Sequence, residues 1–166
     1  MKISVIGFVA GIGVALIVGM AAGFAIGIFV YPYIFLGDIV ATERVENPAA
    51  QTLVAKGSFI HANPSDPIHY GKGNLSVYRN LIHLESNFEV GPGPKFHVYL
   101  VPDANVTPST EVAKTMFIDL GRLKAFKGSQ NYPVPEGVRL ADYKSVVIWC
   151  EQFGVLISPA ALQFAK

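Results

Sequence analysis

The sequence predicts a mainly β protein, in which a single N-terminal transmembrane helix precedes an antiparallel β-sandwich or barrel-like domain. The helix is predicted by residues 3–36, which contain no charged side chain. A hydrocarbon core of about 30 Å needs roughly 20 helical residues, so this segment is long enough to cross a membrane. The β domain is predicted by the short segments after residue 50, which are rich in β-branched and aromatic residues and are separated by Gly, Pro, Asn and Ser.

The uncharged segment is interpreted as a retained membrane anchor that covers residues 1–36. Tyr31, Tyr33 and Phe35 surround Pro32 near its end, a pattern typical of the aromatic belt at a membrane surface and of a helix end. Its apolar region is longer than that of a secretory signal peptide, and no clear small-residue cleavage site follows it. We therefore expect a single-pass protein of the cell membrane that contacts membrane lipid.

The charges that flank the anchor favour one orientation. Lys2 precedes the uncharged segment, whereas Asp38 and Glu43 follow it. Because the cytoplasmic flanks of membrane helices carry an excess of basic residues, we expect the N-terminus in the cytoplasm. The C-terminal domain would then lie in the periplasm or outside the cell.

Glycines recur at a spacing of four along the predicted helix. Gly19, Gly23 and Gly27 lie on one face, and small residues on one face permit close packing between membrane helices. This face is a candidate contact with a second copy of the chain or with another membrane protein. Glycine is also common in membrane helices in general, and that alternative stays open.

The rest of the chain divides into a predicted linker, residues 37–50, and one domain, residues 51–166. The linker mixes charges, small residues and Asn47-Pro48 without a sustained periodicity. Lys2 is the one cation before the linker, so the 12 acidic residues of the chain are balanced by the Lys and Arg side chains that follow it. The sequence therefore has no basic patch of the kind that binds nucleic acid, and we expect no nucleic-acid partner.

Five segments of the domain have the composition of β-strands. In one of them, Phe96, Val98 and Leu100 occupy alternate positions, which places them on one face of a half-buried strand. Residues 91–94, Gly-Pro-Gly-Pro, fit a loop, since proline cannot donate to a strand ladder. Residues 109–117 have a weak helical propensity that does not decide their structure. The predicted strands are residues 52–60, 75–79, 81–86, 95–102 and 145–150.

Several segments of the domain together resemble a known family. They are GSF at 57–59, DPIHYGKG at 66–73, LESNFEVGPGPKFHVYL at 84–100, DLGRLKAFKGSQNYPVP at 119–135 and YKSVVIWCEQFGVLISPAAL at 143–162. The most specific features are Leu-Gly-x-Leu, a Gly-x-Gln-Asn-Tyr turn and a strand that ends in Trp-Cys, in this order. With them the chain resembles the DM-thirteen family, also called the electron-transfer DM domain, in its membrane-anchored bacterial type. One departure is GPGPKF, with Lys95 where the family often has an acidic residue. The resemblance implies a β-sandwich-like fold and a redox role centred on Cys150.

Cys150 is the one cysteine of the chain, so it forms no internal disulfide and belongs to no Cys-x-x-C dithiol. Period two in residues 145–150 places it on the same face as Ile148, towards the core, yet at the end of the strand and so near the rim of the domain. Two interpretations follow. Cys150 is either a small buried hydrophobe, or a redox thiol or ligand of a prosthetic group such as haem that a partner or cofactor approaches at the rim.

Asp66 and His69 form a second candidate pair in a loop bounded by glycine. At this spacing they are candidate metal ligands, or His69 lowers the pKa of the Cys150 thiol. The alternative is that Asp66 caps the turn before Pro67 and His69 is a solvated loop residue. His83 and His97 are interpreted as surface or packing residues. The sequence contains no motif of a hydrolase, a zinc protease or a phosphate-binding loop.

Three classes of function remain. We predict a membrane-anchored extracytoplasmic module with a redox, electron-transfer or prosthetic-group-binding role centred on Cys150. The alternatives are a non-catalytic module that binds a protein or glycan, and an accessory subunit whose glycine-faced helix packs in a larger membrane complex.

Overall fold

The structure is a computed structural model that describes residues 5–165. Lys2, on which the predicted orientation depends, lies outside the described residues. One long helix, α1, is followed by ten strands. The sequence predicted five of them. The elements are α1 (Val5–Tyr31), β1 (Val40–Thr42), β2 (Leu53–Phe59), β3 (Gly71–Tyr78), β4 (Leu81–Leu84), β5 (Glu89–Val90), β6 (Phe96–Val101), β7 (Ile118–Arg122), β8 (Lys127–Pro133), β9 (Ser145–Cys150) and β10 (Val155–Phe164).

Helix α1 ends where the sequence predicts an end. Its α-helical part of 27 residues stops at Tyr31, and Pro32 begins a single π-helical turn that continues to Leu36. Proline has no N–H to donate and its ring clashes with the preceding turn, which explains the change of helix type. Gly7–Leu36 is apolar and long enough to cross a membrane, and within residues 5–165 it is the one helix with this property.

The strands form one sheet of ten strands in the order β1-β8-β4-β3-β2-β10-β9-β6-β7, with β5 paired to β3 and β8. Only β1 and β8 run parallel; the other neighbouring pairs within the described part of the chain are antiparallel. The predicted mainly β, antiparallel fold is confirmed. Strand β10 connects the two halves of the sheet, because its first residues pair with β9 and its last residues pair with β2.

Strand β9 lies between two hydrophobic clusters, and all six of its residues are buried. Ile148 and Cys150 belong to the main core, whereas Val147 and Trp149 belong to a smaller cluster on the opposite face. The segment between β6 and β7 covers this second cluster with residues that include Val112. The predicted alternation along residues 145–150, with Cys150 facing the main core, is therefore confirmed.

The five predicted strands correspond to β2, β3, β4, β6 and β9, and the Gly-Pro-Gly-Pro segment is a loop between β5 and β6. The prediction that Gly-x-Gln-Asn-Tyr forms a turn is wrong, because residues 128–132 lie within β8. Its inward positions include Gln130, a polar residue that a hydrophobicity pattern does not place in a core. Strand β10 was also missed. It contains Pro159 next to an irregularity in the β9 pairing between Leu156 and Ser158, and proline in a sequence argues against a central strand.

The predicted linker contains ordered structure. Strand β1 lies within residues 37–50 and pairs in parallel with β8, Val40 opposite Lys127. Glu43 then forms an ion pair with Lys124, at 2.8 Å. This part of the segment is therefore attached to the sheet, while the boundaries of the domain stay a prediction.

Candidate functional site

Cys150 is the last residue of β9 and is enclosed by the strands on either side. Its register partners are Phe96 on β6 and Val155 on β10. The thiol donates a hydrogen bond to the carbonyl oxygen of Pro94, with 3.4 Å between sulfur and oxygen, and only 2% of the residue is exposed. Glu151, which follows it, is exposed. Cys150 therefore lies directly beneath the rim of the domain, on its inner side.

Burial controls the acidity of this thiol. Removal from water raises the pKa of Cys150, and hydrogen bonds from the backbone N–H groups of Phe153 and Gln152 offset part of that effect. The thiolate is the nucleophilic form of cysteine. A raised pKa keeps the side chain protonated near neutral pH, so the folded protein holds Cys150 in its weakly reactive form.

Asp66 and His69 lie next to each other, and Asp66 caps the turn that contains them. Asp66 Oδ1 accepts hydrogen bonds from the backbone N–H groups of Ile68 and His69, at 2.9 and 3.1 Å. Asp66 Oδ2 lies 2.6 Å from Nδ1 of His69. The hydrogen bond from His69 and those from the backbone lower the pKa of Asp66 to about 2. The geometry is that of the capping alternative.

The contacts recorded for residues 5–165 do not join this pair to the cysteine. His69 interacts with Asp66 through Nδ1, whereas the polar partner of Cys150 Sγ is Pro94. The proposed assistance of the thiol by His69 therefore has no contact to support it.

His97 makes contacts that the sequence did not reveal. Nδ1 of His97 lies 2.9 Å from Asp119 Oδ2, and Nε2 lies 3.3 Å from Glu151 Oε2. Glu151 also pairs with Lys95, at 3.2 Å. The carboxylates come from β7 and from the residue after Cys150, so the cluster depends on the β6–β7 pairing, and β7 was not predicted. Alternation in 95–102 indicated only that His97 faces away from Phe96.

A groove of about 1050 Å³ lies between the C-terminal part of α1 and the rim of the sheet that holds Cys150. We call it the helix–sheet groove. Its helix side includes Phe24, Gly27, Ile28 and Tyr31. Its sheet side consists of residues 93–96, residues 122–126 and Gln152. Pro94 and Gln152 both contact Cys150 through hydrogen bonds, so the thiol lies immediately behind the groove wall.

Gln130 fixes the other part of that wall. Its side-chain oxygen accepts hydrogen bonds from the backbone N–H groups of Lys124 and Ala125, both at 3.1 Å, and from the Tyr132 hydroxyl at 2.8 Å. Its amide nitrogen donates to the Ala125 carbonyl at 2.8 Å. Gln130 is fully buried. The Gln-Asn-Tyr motif thus holds the segment that lines the groove.

The groove combines an apolar wall with a cationic rim. Phe96, Leu123 and Phe126 line its sheet side, and its charged lining residues are Lys95, Arg122 and Lys124. Lys95 pairs with Glu151 and Lys124 with Glu43. Arg122 is exposed and takes part in none of the ion pairs found within residues 5–165.

The surroundings of Cys150 do not suit haem. A thiolate that binds haem iron must face an open pocket, whereas Sγ is turned towards the Pro94 carbonyl inside the core. Across the described part of the chain, no three His, Cys, Asp or Glu side chains are placed to hold a metal ion.

Comparison with known families gives one result. A model of the family described as Electron transfer DM13 matches residues 64–162. The matched range contains β3 to β9 and most of β10, together with Cys150 and the sheet side of the helix–sheet groove. No curated protein and no solved structure matches the chain.

Proposed function

The chain belongs to the electron transfer DM13 family, and we propose on this basis that it is an electron-transfer module held at the outer surface of a cell membrane, with Cys150 as its redox residue. One observation carries the assignment of the residue. The only thiol of the chain lies behind Pro94, a residue that lines the groove next to the apolar helix. A partner that reaches the groove is separated from the sulfur by the backbone at Pro94.

The surroundings of Cys150 suit a thiol that must survive outside the cytoplasm. Exposed thiols with a lowered pKa are the ones that oxidise irreversibly or form unwanted disulfides. Cys150 has the opposite properties, since it is buried and its pKa is raised. Reaction then depends on a local opening of the Gly93–Lys95 segment, which restricts it to partners that bind there.

The reaction that fits a single cysteine is exchange with a partner disulfide. Cys150 loses its proton and its sulfur attacks one sulfur of the partner. A mixed disulfide forms, the partner's own S–S bond breaks, and the other partner sulfur leaves with the electron pair and takes up a proton. A second partner that carries two thiols then attacks the Cys150 sulfur of the mixed disulfide, and the first partner leaves with both of its sulfurs as thiols. The other thiol of the second partner attacks in turn, which closes that partner's own disulfide and releases the Cys150 thiol. Electrons thus pass between partners through Cys150.

A second function is favoured by the same burial. A fully enclosed thiol that never opens is a core side chain, and the module would then act through the helix–sheet groove alone, as a protein- or glycan-binding module or as an accessory membrane subunit. The two functions differ in whether the folded protein reacts as a thiol.

The test is reaction of the full-length chain, purified in mild detergent, with glutathione disulfide. We expect a glutathione adduct on the folded protein, observed by intact mass spectrometry, that dithiothreitol removes. Cys150→Ser is expected to form none. Ile148→Val, on the same face of β9, is the matched packing control and is expected to react like the wild type while losing about 1 kcal/mol of stability. An adduct that forms only after denaturation would assign the core role to Cys150 and leave the binding function.

A further inference from the structure

We propose that the helix–sheet groove is a binding site for one anionic membrane phospholipid, whose phosphate lies against Arg122 and Lys95 and whose acyl chain extends along α1. The proposal rests on the membrane anchoring in the proposed function, but it does not depend on the redox role of Cys150. It follows from the depth, the chemistry and the construction of the groove.

The groove lies at the depth of lipid headgroups. The aromatic residues that mark the membrane surface in the sequence are Tyr31, Tyr33 and Phe35. The groove extends along the helix from Phe24 to Tyr31 and on to Leu36, so it reaches from the apolar part of the anchor to this interfacial layer. The Tyr31 and Phe35 rings pack together at 5.0 Å between centroids, as expected of aromatic residues in the interfacial layer.

The lining of the groove contains the two kinds of group that a phospholipid needs. Phe24 and Ile28 on the helix face Phe126 on the sheet side and provide an apolar channel. The charged lining residues are all cations. Guanidinium and ammonium groups bind phosphate oxygens through charge-assisted hydrogen bonds. The groove therefore offers apolar contacts for an acyl chain and cations for an anionic headgroup.

Arg122 is the cation available for the phosphate. The two neighbouring lysines each have a carboxylate partner, Glu151 for Lys95 and Glu43 for Lys124, while Arg122 is exposed and outside the ion pairs of the described chain. Lys95 is the next contributor, because its ion pair with Glu151 is at the surface and such pairs are weak. A phosphate at the rim would give Arg122 a partner that it does not have among the ion pairs of residues 5–165.

The site is also built in advance of binding. Gln130 holds the backbone of Lys124 and Ala125 by hydrogen bonds within the core, so the wall between Arg122 and Phe126 is fixed. At about 1050 Å³ the groove is at the upper end of ligand pockets. It has room for a headgroup and the upper part of one chain.

Native mass spectrometry of the full-length chain in detergent tests this. We expect the protein to retain phosphatidylglycerol at least tenfold more than phosphatidylcholine of the same chain length, added at equal concentration. Arg122→Gln/Lys95→Gln is expected to remove at least four-fifths of that retention. The matched control is Arg139→Gln/Lys114→Gln, which neutralises an arginine and a lysine in ion pairs away from the groove and is expected to behave like the wild type.

Three results would overturn the proposal: equal retention of the two lipids, equal loss in the groove variant and its control, or an inorganic phosphate adduct as abundant as the lipid adduct. Cys150→Ser is expected to retain phosphatidylglycerol like the wild type. A failure of thiol exchange with lipid retention intact therefore removes the redox function alone, and the reverse result removes the lipid site alone.

Discussion

The thiol of Cys150 and the carbonyl of Pro94 are joined by a hydrogen bond of 3.4 Å across the wall of the helix–sheet groove. The sulfur is on the core side, and the Pro94 backbone is between it and the groove. This relationship makes the reactivity of the only cysteine depend on movement of one short loop. Cys150 is therefore close to the protein surface but is not accessible from it.

Alkylation of Cys150 is expected to be slow and to increase with pH. Because burial raises the pKa of the thiol, the folded protein at pH 8 contains less thiolate than glutathione does. With iodoacetamide we expect a rate at least tenfold below that of glutathione, rising up to and beyond pH 9, with full reactivity on denaturation. A folded-state rate equal to that of glutathione would contradict the enclosed geometry.

Replacement of His69 is expected to leave the thiol unchanged. Its ring contacts Asp66, so His69→Ala should alter the alkylation rate of Cys150 by less than twofold.

The turn itself depends on Asp66. Since the folded pKa of Asp66 is about 2 and its ordinary value is near 4, this contribution to stability is present above pH 4 and is lost as the pH falls towards 2.

Two variants of Asp66, Asp66→Asn and Asp66→Ala, are the comparison for His69→Ala, because they test the turn directly. The amide oxygen of asparagine still accepts the two backbone N–H groups, so Asp66→Asn should melt above Asp66→Ala, and its melting temperature should no longer fall between pH 4 and pH 2 through this group. A tenfold change in alkylation with His69→Ala would restore the hypothesis that this imidazole assists Cys150.

Gln130→Leu is expected to destabilise the domain by about 2 to 4 kcal/mol. The substitution leaves the backbone N–H of Ala125 and the hydroxyl of Tyr132 without their buried acceptor, whereas the N–H of Lys124 keeps the Tyr132 oxygen. Each unsatisfied buried group costs about 1–3 kcal/mol. Gln163→Leu is the matched control, since Gln163 is exposed and surface substitutions usually change stability by less than about 0.5 kcal/mol. Urea denaturation of the full chain in detergent measures both.

The same two variants should differ in lipid retention. Gln130→Leu releases the groove wall, so we expect it to reduce phosphatidylglycerol retention although Gln130 does not line the groove. Gln163→Leu should retain the lipid. If Gln130→Leu is as stable as the control, the hydrogen bonds of Gln130 do not hold the wall.

Gln130 also shows where sequence reasoning reached its limit for the fold. Strands with apolar, β-branched alternation, such as β6 and β9, were predicted nearly to the residue. Strand β8 alternates as well, but its inward positions include a glutamine whose burial is balanced by hydrogen bonds from a neighbouring loop. Such partners are contributed by the tertiary structure, and a hydrophobicity pattern does not contain them.

The candidate site was predicted in part. The strand period placed Cys150 on the core face at the end of β9, which the structure confirms. The helix–sheet groove was not predicted, because it depends on how α1 meets residues 122–126, and no local pattern specifies that angle. The position of His97 between two carboxylates was missed for the same reason, since Asp119 reaches it only through the β6–β7 pairing.

The glycine face of α1 is predicted to mediate association of the helix. A side chain added at Gly19 or Gly23 would meet no atom within 4 Å, so leucine at both positions is compatible with the fold of the single chain. We expect Gly19→Leu/Gly23→Leu to reduce crosslinking in membranes, to itself or to a partner, at least threefold. Gly13→Leu, on another face of α1 and equally unobstructed, is the control. Equal crosslinking in all three proteins would make the glycines a matter of composition.

We expect Glu43 to hold residues 40–44 of the predicted linker against the groove wall. Its carboxylate contacts Lys124 Nζ at 2.8 Å and accepts the backbone N–H of Asn131 at 2.7 Å, and Asn131 Nδ2 donates to the carbonyl of Arg44 at 2.8 Å. Trypsin cleaves after arginine and needs an extended, released backbone. We therefore expect cleavage after Arg44 to be slow in the wild type and at least fivefold faster in Glu43→Gln.

The pH dependence of this attachment, measured by hydrogen exchange, gives the sharper test. Burial raises the pKa of Glu43, but the hydrogen bonds from Lys124 and from the Asn131 N–H outweigh it and hold the pKa below the ordinary value. The attachment is thus complete above about pH 4.3 and is lost as the pH falls through the lowered folded pKa.

Hydrogen exchange of residues 40–44 should accelerate, after correction for intrinsic rates, between pH 5 and pH 3 in the wild type. It should be fast at both pH values in Glu43→Gln, while Glu46→Gln, at an exposed neighbour, should follow the wild type. Exchange of these residues that is equally fast in all three proteins at pH 7 would show that β1 is not attached to the sheet.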